Sequence, residues 1–126
     1  MKKVIATDKA PKAVGPYSQG IETDTMVFTS GQLPINPETG NFVEGGIKEQ
    51  THQSMKNAIE VLKKGGSSLD KVVKATVYLD DINNFSDFNE EYQKYFETDF
   101  PARSCFEVAN LPLNAMIEIE MIAVKN

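Results

Sequence analysis

The stretch MIEIEMIAV, residues 116–124, constrains the fold more than any other part of the chain. Its strict alternation reads as a β-strand, because successive side chains of a strand point to opposite faces. Ile117, Ile119, Met121 and Ala123 form one face, and Met116, Glu118, Glu120, Ile122 and Val124 form the other. Neither face is an ordinary solvated surface, since the second mixes apolar residues with two carboxylates. KVVKATVYL, residues 71–79, repeats the pattern, with Val73, Ala75, Val77 and Leu79 opposed by Val72, Lys74, Thr76 and Tyr78. A lone copy would leave the second face of such a sheet partly apolar. Exposed apolar patches of that kind mark interfaces, so the pattern predicts self-association without fixing the number of subunits.

The remaining segments supply what covers the first face. A helix fits residues 47–64, with Met55, Ala58, Ile59 and Leu62 on one buried stripe that Ile47 and Thr51 extend backward. Gly65-Gly66 stops it, and Lys63-Lys64 suit the negative end of its dipole. Asn83 or Asn84 caps a second helix of about residues 85–97, with Phe85, Phe88, Tyr92, Tyr95 and Phe96 on one side. Residues 2–7 and 25–34 have strand character, the latter ending at Ser30-Gly31. Residues 10–17 and the N-P-E-T-G of residues 36–40 are a loop and a turn. The last strands cover roughly 103–109 and 116–124. The order is β-β-α-β-α-β-β, with a further hairpin possible at the start. Two helices of this length cover one face of a four- or five-stranded sheet, which makes the chain α/β of the α+β kind. No repeat, linker or low-complexity tract divides residues 1–126, which read as one domain.

Charge and composition narrow the function. The net charge of -5 disfavours nucleic acid and anionic membrane, which attract clustered Lys and Arg. No apolar run reaches the roughly 20 residues of a membrane span. The first residues, MKKVIATDK, lack the apolar stretch of a signal peptide, so a cytoplasmic protein is expected. One Cys and one His leave no internal disulfide, cysteine cluster or His-rich metal centre.

Several residues are candidates for chemistry. Arg103 directly follows Pro101-Ala102, and a guanidinium fork held there suits a carboxylate or phosphate; the plainer reading is a strand-end arginine paired with a surface acid. Cys105 shares its side of the strand, but no base is at hand, because His52 sits in mid-helix; a pocket-lining role fits better than a nucleophile. Glu118 and Glu120 lie on one face of an apolar strand, where a carboxylate needs a partner or accepts a raised pKa. Spacing alone does not rank them. Tyr17 follows Gly15-Pro16 in a constrained loop and reads first as an aromatic closing the core. Ser30-Gly31 lacks the G-x-S-x-G arrangement of a nucleophile elbow, but glycine there permits close approach.

Four fragments in order carry a family resemblance: Gly15-Pro16-Tyr17-Ser18-Gln19-Gly20, Thr29-Ser30-Gly31-Gln32, Phe100-Pro101-Ala102-Arg103-Ser104-Cys105 and Ile117-Glu118-Ile119-Glu120. Together, from about Ile5 to Val124, the chain resembles the RidA (YjgF) family of reactive intermediate imine/enamine deaminases. The resemblance implies a chorismate-mutase-like fold, a mixed sheet with two helices on one face. It further implies a homotrimer with a cleft at each subunit interface. Arg103 would bind the substrate carboxylate, and Glu118 would act on the attacking water. Tyr17, Ser30, Gly31, Asn89 and Cys105 would line the cleft, Cys105 also through its backbone N–H. One departure is the neutral Leu113-Asn114-Ala115, where the family often carries a charge; it should touch the cleft rim more than the chemistry.

The activity implied is that of a 2-iminobutanoate/2-iminopropanoate deaminase, a hydrolase converting the imines released by amino-acid dehydratases into 2-keto acids and ammonia. The C=N carbon is already electrophilic, so placement and a proton-transfer partner suffice, and neither cofactor nor metal is called for. The alternative is a non-enzymatic regulatory trimer that binds a keto acid through Arg103 without turnover. Glu118 favours the enzyme, since binding needs only the arginine. So acidic a chain disfavours nucleic acid as a partner.

Overall fold

The computed structural model describes residues 1–126. Helix α1 spans Ile47–Lys64, where the periodicity puts it. At its start the Glu49 carboxylate accepts the Gly46 N–H at 2.8 Å. At its end the Gly65 N–H donates to the Val61 and Leu62 carbonyls, and Gly66 turns the chain away at φ +86°. Met55, Ala58, Val61 and Leu62 are fully buried, whereas Ile59 lies at the edge of the stripe and is half-buried.

The sheet has six strands, more than the four or five expected: β1 (Lys3–Ile5), β2 (Gly20–Glu22), β3 (Met26–Thr29), β4 (Val72–Leu79), β5 (Ala102–Glu107) and β6 (Ile117–Val124). Their spatial order is β1-β2-β3-β6-β4-β5. Every neighbouring pair is antiparallel except β4 with β5. The additional strand is β2, too short to show a period, and it completes a hairpin with β1. Gly20 opens it because α1 rests there, where a Cβ would come within 2.7 Å of Val61 Cγ1.

The last strand in sequence occupies the middle of the sheet. Because β3 and β4 are both antiparallel to β6, they run parallel to each other and are joined through α1. The parallel pair β4 and β5 is joined through α2 (Phe85–Tyr92). Both crossovers step the same way across the sheet, so the right-handed rule puts both helices on one face. The core lies between: Ile117, Ile119, Met121 and Ala123 of β6 and Ala75, Val77 and Leu79 of β4 are all buried there. This is the mixed sheet with two helices on one face.

Two local expectations change. The second helix ends at Tyr92, not residue 97, and continues only as a 3-10 turn over Gln93–Tyr95. Tyr95 turns its hydroxyl to His52 Nδ1 on α1, and Phe96 leaves in extended conformation to pack between Tyr92 and Phe100. In β4, Val72 pairs with Ala123 but Lys74 with Ile122, so Val73 bulges out. The bulge slips the alternation by one residue. Val72 is therefore buried and Val73 exposed, the reverse of their expected faces.

The opposite face of the sheet carries no element of the chain. Register aligns Val4, Ile21, Phe28 and Ile122 in one apolar row across four strands. Beside it run the rows Glu120–Thr76–Ser104 and Glu118–Tyr78–Phe106. Val4 is 66% exposed, Phe28 39% and Phe106 46%.

Candidate active site

Arg103 is the chain's only arginine. On β5 it pairs with Ala75 of β4, so its side chain leaves the sheet on the helix-covered face. There its guanidinium lies 5.6, 5.2 and 5.0 Å from the ring centroids of Phe85, Phe88 and Tyr92 on α2. None of the chain's ion pairs involves it, so the expectation of a plain surface pair does not hold. It opens into a cavity of about 350 Å³ that Asn89, Gln93, Phe100 and Pro101 also line.

Cys105, two residues on, pairs with Val77 and faces the same way. Burial raises its thiol pKa above the ordinary value, against a smaller lowering by Arg103, so the thiol stays protonated. His52 is engaged elsewhere, with its Nδ1 on the Tyr95 hydroxyl and 3.8 Å from Glu91. No base attends the cysteine.

The two glutamates of β6 separate cleanly. The Tyr78 hydroxyl donates to Glu120, and that bond is the chief cause of a tyrosine pKa pushed up to about 12. Glu118 has no hydrogen-bond or ion-pair partner in the chain, and burial, then repulsion from Glu120, raises its pKa above the ordinary 4.5. Its carboxylate presses on Gly31: a Cβ at that position would meet Glu118 Oε2 at 2.2 Å. Only glycine fits. Between Phe28↔Ile122 and the bridge Gln32↔Ile119 the β3 side has one residue more than β6, and this local bulge brings Ser30-Gly31 against the glutamate.

Ser30 ties this point to the N-terminal loop. Its Oγ donates to the Ser18 carbonyl at 2.5 Å and its N–H to the Gln19 carbonyl at 2.9 Å. Gln19, almost wholly buried, fixes the rest: its Nε2 donates to the carbonyls of Thr7, Ala10 and Pro11, and its Oε1 accepts the Thr7 N–H. Tyr17 projects from this clamped loop half-exposed and does not close the core.

The residues singled out in the sequence thus fall into two groups. Asn89, Arg103 and Cys105 lie on the helix-covered side at the β5 edge. Ser30, Gly31 and Glu118 meet at the other face, where Glu118 stands beside Tyr78, and Tyr17 projects from the loop that Ser30 anchors through the Ser18 carbonyl. The sheet lies between Arg103 and Glu118. Sequence reasoning missed the roles of Gln19, Tyr78 and the α2 aromatic rings. The ring stripe was visible as a buried helix side, but nothing in its spacing said that a cation would lie on it.

Fold and site together define a chorismate-mutase-like α+β protein whose polar functional groups are split across one sheet. Residues 7–125 match the family described as Endoribonuclease L-PSP, and the chain belongs to that family, the RidA (YjgF) proteins. A RutC family protein of Pyrococcus abyssi is 51% identical over 124 residues, 98% of each chain. The 2-iminobutanoate/2-iminopropanoate deaminase of Bos taurus is 47% identical over 125 residues, covering 99% of this chain and 91% of that one. The crystal structure of E. coli TdcF with bound serine superposes with a TM-score of 0.94 at 40% identity, covering 98% of this chain and 99% of that one. No helix is long and apolar enough to cross a membrane.

Proposed function

We propose that the protein is a cofactor-independent 2-iminobutanoate/2-iminopropanoate deaminase, working as a homotrimer with one site in each cleft between subunits. The observation that carries this is the division of the site. Arg103 is a cation with no acid partner and Glu118 a half-buried carboxylate with no donor, on opposite faces of one sheet. One chain holds both halves but cannot close them on one ligand. A neighbour seated on the open face, over the row of Val4, Ile21, Phe28 and Ile122, brings the Glu118 of one subunit to the Arg103 of the next.

In that cleft the Arg103 fork takes the substrate carboxylate in a bidentate pair and orients C2. Glu118 accepts a proton from water as its oxygen adds to the iminium carbon. The same carboxyl then passes a proton to the amine of the carbinolamine. The C–N bond breaks as the hydroxyl oxygen becomes the carbonyl and gives its proton back to the Glu118 carboxylate, and ammonia and the 2-keto acid leave. Its raised pKa brings it closer to neutral pH, where a group exchanging protons in both directions works best. Relatives named 2-iminobutanoate/2-iminopropanoate deaminase, 46% and 47% identical over 99% of this chain and 91% of theirs, support the reading. RNA cleavage, which the family's description names, finds little support in a chain of net charge -5 whose one arginine sits in a cavity.

Subunit complementation tests the proposal. Arg103→Ala and Glu118→Gln proteins are each expected to lose the acceleration of imine decay in an assay coupled to a serine or threonine dehydratase. A 1:1 mixture unfolded and refolded together should regain about a quarter of wild-type activity, because about three quarters of the rings are mixed and each mixed ring holds one native cleft of three. Mixed trimers that stay inactive exclude a shared site. A wild type that gives no acceleration over buffer leaves a keto-acid binder in place of the enzyme.

A further inference from the structure

Resting on the reading of Arg103 as a carboxylate anchor, we propose that Phe85, Phe88 and Tyr92 are its positioning residues, an aromatic cradle standing where a counter-ion would otherwise be. A half-buried guanidinium ordinarily finds a carboxylate, because unpaired charge away from water is unfavourable. Arg103 has none, yet all three rings lie within 5.6 Å of its central carbon. Ring faces are electronegative and attract a cation without consuming any of its N–H donors. A carboxylate partner would occupy the fork that a ligand needs. The cradle stabilises the charge and leaves the fork open toward the cavity.

The sequence builds this on one helix. Phe85, Phe88 and Tyr92 stand at i, i+3 and i+7 of α2, a single stripe facing β5. Asn89, one residue after Phe88, lines the same cavity. Tyr92 contributes its ring and not its hydroxyl: the oxygen is buried without a hydrogen-bond partner. Burial also pushes its pKa up to about 12, against a smaller lowering by Arg103, so no phenolate forms to neutralise the guanidinium.

A chain with one arginine allows a direct test, since its Arg Nε–H correlation in a ¹H–¹⁵N spectrum is unique. In the wild type that signal should carry the ring-current shift of a guanidinium over aromatic faces. Phe85→Leu, at a partly exposed position that tolerates the change, and Tyr92→Leu should each move it toward the free-arginine position; Tyr92→Phe should leave it in place. Each Leu variant should raise the KM for imine and the Kd for pyruvate about three- to tenfold with kcat unchanged. Tyr92→Phe should match wild type, which a hydroxyl role would not allow. An Nε–H signal unmoved by both Leu variants overturns the cradle, and so do Leu variants with wild-type KM and Kd where pyruvate shifts the wild-type signal. A shifted signal that responds to the Leu variants but not to pyruvate upholds the cradle and refutes the carboxylate anchor instead.

Discussion

Gly31→Ala isolates the placement of Glu118 from its identity. The substitution adds one methyl group, whose carbon would stand 2.2 Å from Glu118 Oε2, 2.6 Å from Cδ and 2.9 Å from Cγ. Gly31 is not among the glycines with positive φ, so alanine meets no backbone strain there. What must move is the far end of a flexible side chain. Ordinary contact begins near 3.4 Å, so the carboxylate retreats by more than 1 Å. A displacement of about 1 Å at a reacting group lowers turnover on the order of 100-fold.

Stability should change little. Replacing glycine at a permissive φ favours folding by about 0.4–1 kcal/mol through the unfolded chain, which offsets part of the cost of turning Glu118. The Arg103 fork holds the ligand carboxylate wherever Glu118 stands, so the Kd for pyruvate should change far less than kcat. The measurements are the coupled dehydratase assay, a thermal melt and a pyruvate titration. An alanine variant with wild-type kcat and an intact melt would falsify the claim that the position of Glu118 limits the reaction.

Three further outcomes follow from the same contacts. Burial first and Glu120 second raise the Glu118 pKa, so the native state retains a proton the unfolded chain has released. That stability is present below the ordinary 4.5 and is lost as pH rises through the native value, so Glu118→Gln should gain on wild type in urea denaturation as pH increases. In wild type, kcat/KM should fall on acidification around that same raised value. Arg103→Lys keeps the charge but loses the fork, so KM should rise about 10- to 100-fold in steady-state kinetics while the fold persists. Tyr78→Phe strands the Glu120 carboxylate and should cost about 1–2 kcal/mol at neutral pH by chemical denaturation.

The sequence made the ends of α1 and the course of β6 legible because both rest on local periodicity and local stop signals. Ile47–Lys64 follows from its stripe and from Gly65-Gly66, and the two faces of residues 116–124 from alternation alone. What alternation could not show is a change of phase. The bulge at Val73 arises from pairing with β6, a strand some fifty residues away, and it exchanges the faces of Val72 and Val73. The choice between Glu118 and Glu120 is of the same kind. They are equivalent by spacing, and what distinguishes them is a tyrosine on β4 and a glycine after β3, both brought in by register. Spacing alone puts Arg103 and Cys105 on one side of their strand; that this side is the opposite one from Glu118 depends on how β5 pairs with β4.

That opposition has a physical use. Were Arg103 and Glu118 of one chain within reach, each would be the other's nearest opposite charge, and they would pair. The guanidinium would lose the fork meant for a carboxylate, and an adjacent cation would lower the glutamate pKa when the proposed chemistry benefits from a raised one. With a sheet between them, each is stabilised by other means: the arginine by three rings, the glutamate by partial exposure and the prospect of a proton. In the proposed trimer the two meet only across a cleft, where a substrate of the right length stands between, its carboxylate on the guanidinium and its C=N carbon toward the water that Glu118 activates. The proposed chemistry calls for a ligand whose carboxylate and electrophilic carbon are directly bonded, as they are in a 2-imino acid. An imine with its carboxylate one or two carbons further away would set the wrong atom before Glu118, so placement alone should cost it turnover on the order of 100-fold or more.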